Sequence, residues 1–282
     1  MRTLTGYSAA VVKTGQGLLQ WLAPKALDQY DLNAFVHAQS TAMEAVKTVS
    51  ASLCPGWSEK KAASLIDTYL RDCGVKDFFH HSFAWYGERT RFDGIKNYAA
   101  FAPTNRILQE GEVYILDTAP IVNGYICDIG YSGCTGENPA YSQAIRFLWH
   151  LRREIPRWSL ECETGGALWK RVEQAFGEAG YECAHLKYPF GVLGHRVHGG
   201  VRSYGKSRVL NFGLSSFFEL SSRMLWDQLL TKNHARPLRG AWAIEPHLGA
   251  TGFGAKFEEI LYVTDTSAEW IHPEDNASLA PI

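Results

Sequence analysis

The stretch Val113–Ile129, VYILDTAPIVNGYICDI, constrains this chain more than any other. Two apolar runs meet at an Asn-Gly pair, the strongest short-range signal for a tight antiparallel hairpin. Each run is interrupted by one aspartate, Asp117 in the first and Asp128 in the second. Across a turn with an even number of residues their odd separation puts both side chains on one face, opposite or diagonal to each other. Two carboxylates at short range repel unless a cation lies between them, and carboxylates inside apolar strands are costly to bury unpaired. The pair therefore points to a metal site, although any single acidic residue is more often simply solvated.

The rest of the chain supplies ample core. Its 282 residues are 46% hydrophobic, with a formal net charge of −1 and a pI near 6.8. That balance, with no basic block, argues against a nucleic-acid partner held by phosphate contacts. The six cysteines show no CxxC spacing, which disfavours a zinc finger or a dithiol redox motif and leaves reduced core thiols as the default. The N-terminal apolar run is too short for a signal peptide and nothing downstream approaches a membrane span, so the expected setting is the cytoplasm.

Residues 1–28 read as a lead-in, and 29–282 as one domain. Helical spacing runs from Asp31 to about Leu53, with Asp31 or Asn33 as N-cap and Cys54-Pro55-Gly56 as the stop. A second helix is capped by Ser58, carries the stripe Leu65, Ile66, Tyr69, Leu70, and ends at Gly74. Strands and loops then lead into the aspartate hairpin. The outline repeats: a helix from Asn138-Pro139 ending before Pro156, a helix capped by Thr164 and stopped at Gly180, then strands and a second hairpin, AWAIEPHL to KFEEILYVT. Two helices followed by sheet, twice over, predict an α+β fold in which pseudo-symmetric halves pack their helices on one curved antiparallel sheet. Residues 202–235 look inserted, with Phe217 to Leu230 readable as an amphipathic helix, either a lid or a surface excursion.

The second hairpin repeats the carboxylate argument. Glu245 and Glu258 share one face by the same parity rule, and Glu259 would replace Glu258 only if the loop count were odd. With His195 these four carboxylates form an oxygen-rich set suited to manganese, iron, cobalt or zinc, unlike a thiolate site. Two divalent ions are the natural occupancy, since some carboxylates can bridge ions roughly 3.5–4 Å apart.

The segments ILQEGEVYILDTAPIVNGYICDIGYSG, GVLGHRVHGG, RPLRGAWAIEPHLG and GAKFEEILYVT, in that order, resemble the pita-bread metallopeptidases: methionine aminopeptidase, Xaa-Pro aminopeptidase, prolidase and the related creatinase. The resemblance covers about residues 30–265. It implies a pita-bread fold in which Asp117 chelates one metal, Asp128 and Glu258 bridge both, and His195 and Glu245 bind the other.

Two positions depart from the pattern. The family's histidine upstream of the first aspartate would fall in Tyr98–Phe101, which has none, and its second histidine, seven residues after the metal histidine, falls on Arg202. Those side chains help hold substrate and stabilise the tetrahedral intermediate. His247, two residues from Glu245, and His198, three after His195, are the candidates to serve as catalytic replacements, with a solvated or backbone-bonded imidazole as the alternative for each. His81 of the His80-His81 pair, Arg89 or Arg91, and Arg202 are candidate substrate-binding residues; a structural or surface role is the alternative. The expected activity is metal-dependent cleavage of an amide or imide C–N bond in a small molecule or short peptide, by a protein free to form a homodimer. Oxidation of a small metabolite by a dinuclear iron or manganese centre, and a non-catalytic partner-binding role, are the competing readings.

Overall fold

A computed structural model describes residues 29–95, 98–200, 225–272 and 278–279. The lead-in 1–28 and most of the 202–235 segment lie outside the described residues.

The first half opens with α1 (Gln29–Ser52) and α2 (Glu59–Asp72). Helix α1 begins two residues before the expected cap, so Asp31 sits in its first turn, where its carboxylate accepts from Tyr125 Oη at 2.6 Å. Helix α2 is capped as expected, with Ser58 Oγ accepting from Lys61 N at 3.2 Å and Gly74 at φ +88° just past its end. Strands β1 (Asp77–Tyr86), β2 (Val113–Val122), β3 (Tyr125–Ile126) and β4 (Ile129–Cys134) follow, all pairing antiparallel around β2. Asn123 and Gly124 both have positive φ, 51° and 84°, as a tight primed turn requires.

The second half repeats that order with α3 (Pro139–Glu161) and α4 (Gly165–Glu178). Helix α3 does not end before Pro156 but runs five residues past it. Proline removes the bond to the carbonyl four residues earlier, that of Arg152, and this carbonyl instead accepts from the Trp270 indole at 2.6 Å. Strands β5 (Glu182–Cys183), β6 (Gly194–Arg196), β7 (Leu229–Leu230), β8 (Gly240–Ile244), β9 (His247–Ala250), β10 (Phe253–Lys256), β11 (Glu259–Val263) and β12 (Ala268–Trp270) follow. The long second hairpin is two-tiered. Pro246 interrupts the ladder on one arm, so β8 pairs β11 in one sheet while β9 pairs β10 in another. Of the proposed amphipathic helix, the described part is a single turn, Leu225–Gln228; Leu229–Leu230 are strand, paired to Gly194–His195.

One core lies between α1, α2 and β1–β4 and takes in Val192, Val197, Leu229, Ala241, Ala243 and Ile260 from the second half; another lies between α3, α4 and the later strands. The halves are joined where Gly130 and Glu258 exchange backbone hydrogen bonds (3.0 and 3.4 Å) and where Ser132 Oγ donates to Lys256 O and accepts from Lys256 N. That joint brings the two hairpins face to face. Among the described residues no helix is long and apolar enough to cross a membrane.

Candidate metal centre

Strand register explains the convergence. In the β2–β4 ladder Asp117 stands opposite Gly130, which places Asp128, two residues earlier, diagonally from it on the same face. Glu245 and Glu258 each lie one step beyond the Ile244–Glu259 pair of β8 and β11, hence opposite each other. His195 pairs with Ala243 on the neighbouring strand. The structure brings Asp117, Asp128, His195, Glu245 and Glu258 together around one cavity of about 70 Å³, all of them buried. Glu259 points the other way, into a two-pronged ion pair with Arg152.

A sixth ligand-type residue is present, His80, next to the His81 expected to bind substrate. His80 Nε2 lies 3.3 Å from Asp128 Oδ1 and 3.5 Å from Asp117 Oδ1. Regular alternation from the Phe83–Asp117 pair would have turned His81 to this face. Irregularities in β1 between Phe78 and His80 and between His80 and Phe83 shift the phase, so His80 faces inward. His81 is instead 46% exposed and its Nδ1 lies 3.0 Å from Asp67 Oδ2, away from the centre.

His80 and His195 adopt the same posture. Each holds Nδ1 near the carbonyl of the residue that follows it, His81 O at 2.8 Å and Arg196 O at 3.2 Å, and aims Nε2 at Asp128. A backbone anchor on one ring nitrogen is how proteins orient the other toward a cation. The ligand atoms of His80, Asp117 and Asp128 lie within 4.8 Å of one another, as do those of Asp128, His195 and Glu258, so two triads share Asp128. Asp128 Oδ1 is buried, with His80 Nε2 3.3 Å from it. Oxygen and imidazole donors in this arrangement fit a first-row divalent cation.

The charges are strongly coupled. Burial works against ionising Asp128, but His80 and His195 outweigh it and hold its carboxyl below the usual range. Burial likewise opposes a charge on His80, yet Asp128 and Asp117 raise its pKa to about 9, and Asp128 raises that of His195. Glu245 and Glu258 are pushed up by burial and by the neighbouring carboxylates. Lys256 completes the cluster, its Nζ 2.6 Å from Asp117 Oδ2, 2.8 Å from Glu258 Oε2 and 2.9 Å from Glu245 Oε2. Its position two before Glu258, hence on the same strand face, was the available signal.

The remaining wall is apolar, formed by Phe83, Trp85, Phe101, Tyr188 and Val192. His247 is fully buried behind it. Its Nε2 donates to Thr90 O at 2.7 Å, so its Nδ1 accepts from Tyr188 Oη at 3.1 Å, and burial holds its pKa well below the ordinary value. His198 Nε2 hydrogen-bonds Gln228 Oε1 at 2.7 Å and does not line the cavity. Arg89 is engaged by the buried Glu59 carboxylate at 2.9 Å, and Arg91 by Asp93 and Glu182. Arg202 lies outside the described residues.

No curated protein matches this chain in sequence. Solved structures do match in fold. The X-Pro aminopeptidase from Thermotoga maritima MSB8 aligns with a TM-score of 0.64 at 16% identity, over 87% of this chain and 62% of that one. Prolidase from Pyrococcus furiosus gives 0.65 at 14%, over 87% and 64%. Methionine aminopeptidase from Thermotoga maritima gives 0.59 at 15%, over 88% and 98%. The chain thus spans less than two thirds of the X-Pro aminopeptidase and prolidase and nearly all of the methionine aminopeptidase, and it shares with all three the pita-bread fold. The model of metallopeptidase family M24 matches residues 33–265, most of the sequence, and the chain belongs to that family.

Proposed function

We propose that this protein is a metal-dependent hydrolase that cleaves an amide or imide C–N bond in a short peptide or small peptide-like substrate. The observation that carries the reading is the convergence of four carboxylates and two similarly posed imidazoles, His80 and His195, on one buried cavity. Asp117, Asp128, His195, Glu245 and Glu258 are the proposed ligands, with His80 added to them. The two triads meeting at Asp128 offer adjoining places for positive charge, at least one of them for a divalent ion drawn from manganese, iron, cobalt or zinc. When bound, such ions would supply Lewis acidity and an activated water at neutral pH.

The chain's own contributions follow from its side chains. Phe83, Trp85, Phe101, Tyr188 and Val192 exclude water and favour an apolar group beside the scissile bond. His247, kept neutral by burial, fixes Tyr188 by accepting its hydroxyl proton; in this reading it positions the wall and does not touch substrate. His198, bonded to Gln228, likewise stands aside from the chemistry. The resemblance of fold to X-Pro aminopeptidase, prolidase and methionine aminopeptidase supports peptide substrates.

Assays of Xaa-Pro and Met-Xaa peptides with manganese, cobalt, iron and zinc test the proposal. Metal-dependent release of the N-terminal residue, abolished in Asp128→Ala, is expected. No turnover with any of the four, together with dioxygen uptake in the presence of iron, would overturn it in favour of oxidative chemistry.

A further inference from the structure

Lys256 stands where a cation belongs. Its ammonium touches one oxygen from each of three carboxylates: Asp117 from the middle of β2, and Glu245 and Glu258 from beside the ends of β8 and β11. Three oxygens at 2.6–2.9 Å around one positive centre is what these carboxylates would otherwise offer a metal ion.

The side chain is held there by construction. It is 2% exposed, and its backbone is clamped by Ser132 from the opposite half, which donates to Lys256 O at 2.6 Å and accepts from Lys256 N at 2.8 Å. Its stem passes over Gly130, the cross-strand partner of Asp117, where a Cβ would collide with Lys256 Cε. A larger residue at position 130 would force the lysine stem to shift. The Tyr188 ring, 5.6 Å from Nζ, lies over it on the cavity side.

What remains available lies around Asp128: both of its oxygens and Asp117 Oδ1, faced by His80 and His195, with Glu258 beside His195. We infer that Lys256 fills one of the two cation places of the centre as a tethered monocation, leaving room for a single divalent ion held on Asp128 between His80 and His195. The inference rests on the metal-centre reading above but makes a separate claim about number. Four carboxylates, one ammonium and one divalent ion sum to a nearly balanced charge, whereas the same carboxylates without the lysine call for a second ion.

Manganese alone is the probe. Full-length protein stripped of metal and equilibrated with Mn²⁺ is analysed for bound equivalents and by electron paramagnetic resonance, which separates an isolated ion from a spin-coupled pair. The wild type should hold about one equivalent with an uncoupled six-line spectrum, while Lys256→Met and Lys256→Gln should hold about two, with a coupled signal. Two coupled ions in the wild type would overturn the assignment without recourse to a variant. One ion in both wild type and variants would overturn it as well, since the lysine would then not be what excludes the second. Metal in the variants alone would overturn the single-ion count, and no metal in any of the three would sink the metal-centre reading itself.

Discussion

Arg152 grips Glu259 through two parallel bonds, Nε to Oε1 at 2.9 Å and Nη2 to Oε2 at 2.7 Å, with both side chains essentially buried. This pair decides which of two adjacent glutamates faces the buried carboxylate cluster. Because neighbouring strand residues face opposite ways, anchoring Glu259 on helix α3 leaves Glu258 pointing at Asp128 and Lys256. Ser278 adds a backbone donor to Glu259 Oε1 at 2.8 Å, so the carboxylate is well satisfied.

Removing one partner of such a pair strands a buried charge. Arg152→Ala should destabilise the protein by roughly 3–5 kcal/mol, read as a lowered midpoint in chemical denaturation. A double replacement, Arg152→Met with Glu259→Leu, should recover a large part of that loss. A single variant as stable as the wild type would mean that Glu259 is held by other contacts.

The two adjacent histidines should behave differently. His80→Ala should weaken divalent-metal binding at least tenfold by calorimetry, because it removes a ring nitrogen aimed at Asp128 and Asp117. His81→Ala, on the outer face beside Asp67, should leave the affinity unchanged. The reverse order would show that β1 takes the regular phase rather than the shifted one.

That contrast marks how far the sequence could be read. Hairpin parity was enough to place Asp117 with Asp128 and Glu245 with Glu258, because the Asn123-Gly124 turn and the Ile244–Glu259 register preserve a strict period of two. Helix α2 and helix α4 were legible from Ser58 and Thr164, whose side chains do cap them. His80 was not legible, since a one-residue irregularity in a strand leaves no mark in composition, and alternation pointed to His81. Pro156 misled for a related reason: its breaking effect is real, but the freed Arg152 carbonyl finds Trp270, more than a hundred residues away in sequence. Lys256 shares a strand face with Glu258 by period two, but its carboxylate partners meet only where the two hairpins face each other.

A buried imidazole away from the centre predicts an acid-side loss of stability. His185 is fully buried against Trp169 and Phe176, and burial lowers its pKa from 6.5 to about 4. As pH falls below 6.5 the unfolded chain takes up this proton while the folded chain refuses it, so stability declines down to about pH 4 and the term is constant below that. The loss is of the order of 3 kcal/mol across that window. Unfolding free energies measured from pH 7.5 to 4 should fall less steeply for His185→Leu than for the wild type; equal slopes would contradict the assignment.

The apolar wall should set substrate size. Phe83 packs between the His80 and Trp85 rings, with centroids 5.1 Å from each, and borders the cavity. Phe83→Ala should shift preference toward substrates with a larger apolar group, chiefly through KM, while bound metal stays unchanged. A loss of metal in this variant would place Phe83 in support of the ligands instead.

The most direct test of the metal centre is anomalous diffraction at the manganese edge from crystals grown with Mn²⁺. A peak within about 2.0–2.6 Å of an Asp128 carboxylate oxygen, with His80 or His195 as a further ligand, is the predicted result. A fully occupied ion elsewhere in the protein, with the Asp128 cavity showing no anomalous signal under the same metal-replete conditions, would contradict it.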